Sequence, residues 1–192
     1  MNKLHIIAAL LLLLFQTTFS QTKEIKGDTA FLYNRNIELQ KALELKDFEK
    51  SHDEFNFRFR NHGQVIEISK DSTKYNGIIT NYVYHTRKAN RDKTEILSNK
   101  IILSPKQAED IYNIIQISQI LELPSDKYIA NWKQGADGIT YIVEHTDRKS
   151  YWFKNYWAPY IQDSIPEAII VSKLIENLSD TLNLQKTVGY VL

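Results

Sequence analysis

The 192-residue sequence contains no cysteine. That one absence removes thiol nucleophiles, thiolate zinc sites, disulfides and redox switching. It also excludes a bacterial lipid anchor, which needs a cysteine at the new amino terminus. Glycine and proline are sparse, at six and four, and no Gly-rich phosphate loop follows any strand-like segment, so no nucleotide cofactor is expected. The histidines stand at no metal-motif spacing, because a helical zinc pair needs two of them four residues apart around a glutamate; no metal is expected either. An excess of one charge is missing as well. With 24 basic and 23 acidic residues, the chain offers no electrostatic footprint for nucleic acid or anionic lipid. Internal repeats, low-complexity tracts and Pro/Gly-rich linkers are absent, so a single domain is the economical reading.

What is present begins with a leader. Lys3 and the free amino terminus precede an uncharged run from Ile6 to Phe15 that holds five consecutive leucines, and Thr18 to Ser20 lead toward a cleavage point. This is the pattern of a signal peptide. The apolar run is about half the roughly twenty residues that a membrane-spanning helix needs. The sequence therefore predicts a signal peptide over residues 1–20, cleavage between Ser20 and Gln21, and a secreted or periplasmic mature chain without a transmembrane segment. Losing Lys3 takes one from the 24 basic residues and leaves 23 of each sign.

The mature chain reads as a loose leader over residues 21–35 and one domain over residues 36–192. Helix formers around Ile37, Leu39, Leu43 and Leu45 predict a helix over 36–50. Phe55, Phe57 and Phe59 alternate with Asn56, Arg58 and Arg60, a period of two that places three rings on one face of a strand. Val65 to Ile68, Gly77 to His85 and Ile96 to Leu103 supply three further strands, with a charged loop over 86–93 before the last. Ser104-Pro105 with Gln107 reads as a capping box opening a helix that Leu123-Pro124 ends. Ile139 to His145 and Ser150 to Tyr156 form a hairpin, and Ser164 with Glu167 reads as a second capping box before a closing amphipathic helix. The order is α-β-β-β-β-α-β-β-α. Short connections make the expected fold an α+β class with a mostly antiparallel sheet of about six strands and helices packed on one face.

From Trp132 to Pro159, the succession Asp137-Gly138, Tyr141, Glu144, Tyr151 and Trp157-x-Pro159 resembles a pattern in secreted or periplasmic bacterial proteins of the flavobacterial type. The resemblance spans residues 96–182 and implies export from the cytoplasm without implying an activity.

Two sets of side chains are candidates for chemistry. Asp137 and Glu144 are carboxylates near aromatic rings, the outline of a glycan-directed hydrolase whose general acid needs a raised pKa. The bland alternative is that Asp137-Gly138 forms a turn and Glu144 pairs with Arg148 or Lys149. The second set is the aromatic cluster at Tyr151, Trp152, Phe153, Tyr156, Trp157 and Tyr160. Concentrated aromatics can build a binding surface, but alternation splits them between two faces. The expectation is a non-enzymatic domain that binds a protein or an envelope glycan through Trp132, Tyr151 and Trp157. The alternative is a hydrolase using Asp137 and Glu144.

Overall fold

The alternation at Phe55, Phe57 and Phe59 organises the whole molecule, because strand β2 (Phe55–Asn61) lies at the centre of a seven-stranded sheet. The structure, a computed structural model, describes residues 23–29, 31–86 and 94–184. The expected signal peptide and its cleavage site lie outside these residues, as does most of the charged loop over 86–93.

Along the chain, β1 (Glu24–Gly27) and α1 (Phe31–Ala42) precede β2, β3 (Gln64–Asp71), β4 (Lys74–Thr86) and β5 (Thr94–Ile102). Helix α2 (Pro105–Ile117), the hairpin of β6 (Thr140–Thr146) and β7 (Ser150–Trp157), and α3 (Pro166–Thr181) complete it. The sheet order is β1-β7-β6-β2-β3-β4-β5. Every neighbouring pair is antiparallel except β1 with β7. The α+β class and the mostly antiparallel sheet agree with the sequence reading, while the strand count is seven rather than six.

Three differences have physical causes. Residues 21–35 are not all loose: β1 runs beside β7, and α1 starts at Phe31, five residues before its expected start. Helix α1 also ends early, at Ala42, because Glu44 takes a left-handed conformation with φ 51°. Leu45 N–H then donates to the Gln40 carbonyl and Glu44 N–H to the Lys41 carbonyl, the two bonds of a Schellman termination. The capping box at Ser104 and Gln107 is present, but Ser164 caps nothing. Helix α3 instead opens after Ile165 with Pro166 in its first turn and no side-chain cap.

The helices do not share one face. Ala108, Ile111 and Ile115 of α2 and Ala168, Val171, Leu174 and Leu178 of α3 pack on Phe57, Phe59, Ile66, Ile68, Val143 and Tyr156. Helix α1 lies on the opposite face, where Leu39 and Leu43 cover Val65 and Tyr82, and Leu32 and Tyr33 meet Ile142, Tyr151 and Phe153. The correction follows from β6 and β7, which carry apolar side chains on both faces and so require cover on both. No helix among the described residues is long and apolar enough to cross a membrane.

Candidate functional site

Glu144 sits on the α1 face of β6 and is 0% exposed. Arg58, directly opposite on β2, donates to its Oε2 at 2.8 Å, and the Tyr151 hydroxyl donates to the same oxygen at 2.8 Å. Asn36 of α1 donates to Oε1 at 3.0 Å. Arg58, itself fully buried, also binds Glu67 at 2.7 Å and Gln40 at 3.0 Å. Burial works against the guanidinium charge, but Glu144 and Glu67 more than offset it and hold Arg58 above its ordinary value. Burial and the neighbouring Glu144 push the Tyr151 hydroxyl up. This cluster ties α1 to four strands, β2, β3, β6 and β7, and each of its strongest acceptors has a partner.

Asp137 is exposed in the bend before β6, so the two carboxylates expected as a catalytic pair stand in opposite environments. Glu144 pairs with Arg58 across the sheet, not with Arg148 or Lys149. Arg148 instead reaches Glu54 at 3.2 Å. The three expected binding rings are likewise dispersed. Trp132 is 8% exposed, stands in the core with α2 and α3, and donates its indole N–H to the Trp157 carbonyl at 2.9 Å. Tyr151, 2% exposed, belongs to the α1 face. Trp157 is half-buried beneath the 135–138 segment: a Cβ on Gly135 would stand 2.7 Å from its ring, and one on Gly138 2.9 Å from its Nε1. A side chain at either position would therefore have to displace the Trp157 ring.

The structure brings together a different set. On the α2/α3 face, Trp152 of β7 stands directly opposite His145 of β6, their rings parallel within 6° and 4.5 Å apart. Lys154 follows two residues later on the same face. These three, with Phe55, Leu121, Leu123, Tyr128 and neighbouring residues, line a cleft of about 490 Å³ beneath the loop that follows α2. That loop is pinned to β7 by two side chains: Ser125 Oγ accepts from Asn155 N–H at 3.0 Å, and Asp126 accepts from Trp157 N–H at 2.7 Å.

Two polar groups on the sheet side of the cleft, Lys154 and His145, are desolvated, while Glu122 and Asp147 at its rim are exposed. Lys154 is buried and donates to the carbonyls of Ile120 at 3.3 Å and Leu121 at 2.7 Å in the turn after α2. Burial lowers its pKa to about 8, with Glu122 opposing. His145 is lowered to about 3 by burial and then by Lys154, so its imidazole is neutral at physiological pH, and its Nδ1 is buried without a partner among the described residues. Neither Asp137 nor Glu144 lines this cleft.

No family model matches the chain, and no curated protein is found to be similar to it in sequence. The site therefore stands on its own chemistry. Among the described residues, no group of three or more histidines or carboxylates could hold a metal ion. His145 and Lys154 escape a reading based on motifs because neither belongs to one. Their signal is positional: a histidine and a lysine share one face of β6 and β7 with Tyr141, Val143, Trp152 and Tyr156.

Proposed function

We propose that the protein is a non-enzymatic binding domain that works outside the cytoplasm and seats part of a protein partner in the cleft beside Trp152. The observation that carries this reading is the pairing of apolar walls with two perturbed, buried polar groups, His145 and Lys154, in one concavity. The lining favours a protein side chain over a sugar. A glycan would need partners for many hydroxyls, whereas Phe55, Leu121, Leu123 and Trp152 offer chiefly apolar area. Catalysis has less support, because Glu144 is held by Arg58, Tyr151 and Asn36 away from the cleft.

The test is selection of displayed peptides on the mature chain beginning at Gln21, followed by titration of the recovered peptides against Trp152→Ala and Leu123→Asp. Peptides with an apolar or aromatic anchor are expected to lose at least tenfold in affinity, about 1.4 kcal/mol, while the circular dichroism of both variants stays that of the wild type. Recovered peptides that bind both variants as tightly as the wild type would move the site elsewhere. Native protein still starting at Met1 in the cytosol would remove the extracytoplasmic part of the reading.

A further inference from the structure

A second concavity lies on the opposite face of the sheet, between α1 and the ends of β2, β4 and β6, with a volume of about 320 Å³. Its chemistry is set by Arg60. Two residues after Arg58 on β2, this side chain points to the same face and is only 7% exposed. Arg58 takes both nearby carboxylates, Glu144 and Glu67, at contact distance, and Arg60 makes no ion pair or hydrogen bond with any described residue. Burial penalises its charge and lowers its pKa, against which Glu144, Tyr82 and Tyr84 act only at longer range.

A guanidinium this deeply set is usually paired with a carboxylate, whereas the Arg60 nitrogens have no partner among the described residues and reach solvent only through the cleft. Here it lines a cleft together with Arg35, His62, Tyr82, Tyr84 and Thr140, and no aspartate or glutamate is among the lining residues. Leu32, Leu39 and Ile139 make up apolar wall beside these polar groups. The planar fork of an arginine matches the paired oxygens of a carboxylate or phosphate, and tyrosine and threonine hydroxyls can donate to the remaining oxygens. We infer that this cleft is a second binding site, for a small molecule that presents one oxyanion, carboxylate or phosphate, to Arg60 and an apolar stem to Leu32 and Leu39.

The probes are phenyl phosphate, benzoate and inorganic phosphate, each followed by thermal unfolding and by the Nε–Hε resonance of Arg60, with sodium chloride at matched ionic strength as reference. Phenyl phosphate or benzoate is expected to raise the unfolding temperature saturably at millimolar concentration and to shift the Arg60 resonance. Arg60→Met is expected to abolish the response, and Trp152→Ala, in the other cleft, to leave it intact. A response to phosphate compounds alone or to benzoate alone supports the site and names its oxyanion. A shift equalled by sodium chloride, an Arg60 resonance that does not move in the wild type, or an Arg60→Met protein that responds like the wild type would each overturn the inference. The resonance is read in the wild type, so the result does not depend on whether the variant folds.

Discussion

Arg58 and Arg60 are two residues apart on one strand and both are buried, yet they differ in what their loss should do. Removing Arg58 leaves Glu144 and Glu67 facing each other in the interior without their cation. Breaking a buried pair this way costs about 3–5 kcal/mol, and Arg58→Met is expected to fall in that range by urea unfolding. Among the described residues Arg60 has no ion-pair or hydrogen-bond partner to strand, so Arg60→Met is expected to stay within about 1 kcal/mol of the wild type. Equal losses would show that Arg60 balances the cluster as a structural charge and would weaken the case for a ligand. The sequence makes both arginines legible as the polar residues of an alternating strand, but it does not tell which one is partnered. That depends on Glu67 and Glu144 standing opposite Arg58 in register, a long-range fact that no local pattern encodes. The same holds for Tyr151, whose ring is a good candidate for a binding surface until its hydroxyl is found on Glu144.

At the scale of elements, local signals held at β2 and Ser104 and failed at Ser164, where Pro166 opens α3 without a side-chain cap. The phenylalanine alternation of β2 and the Ser104 capping box are both present. Strand β1 was not legible, since Glu24 to Gly27 has no periodicity and gains its place by pairing with β7. Gly27 is needed there, with φ 93° and a would-be Cβ 2.1 Å from the Phe153 carbonyl oxygen. The early end of α1 was equally hidden, because a left-handed glutamate goes against the residue preference of that region. Glu44 therefore carries a penalty that glycine would not. Glu44→Gly is expected to raise stability by about 0.5–1 kcal/mol, read as a higher urea midpoint with an unchanged slope. An unchanged or lower midpoint would mean that the Glu44 side chain itself stabilises the turn.

For the whole molecule, the two clefts lie on opposite faces of one sheet, and the cleft with His145 and Lys154 links that architecture to pH. Above pH 6.5, His145 is neutral in both the folded and unfolded states, and its full contribution to stability is present. As the pH falls from 6.5 toward about 3, the unfolded chain takes up a proton that the buried imidazole refuses. Stability then declines, by at most about 1.4 kcal/mol per pH unit. Lys154 acts in a separate window. Between about pH 8 and its ordinary 10.5, the unfolded chain keeps a proton that the folded chain has shed, so stability increases as the pH rises through that range. His145→Phe keeps an aromatic ring against Trp152 but cannot titrate. Between pH 7 and pH 5 the wild type is expected to lose about 2 kcal/mol more than this variant, measured by urea unfolding of both proteins at both pH values, where all other titrating groups cancel. If the two proteins lost stability equally, water would have to reach the ring in the folded state. The wall of the cleft around His145, against which an apolar partner would pack, would then be wetted rather than dry.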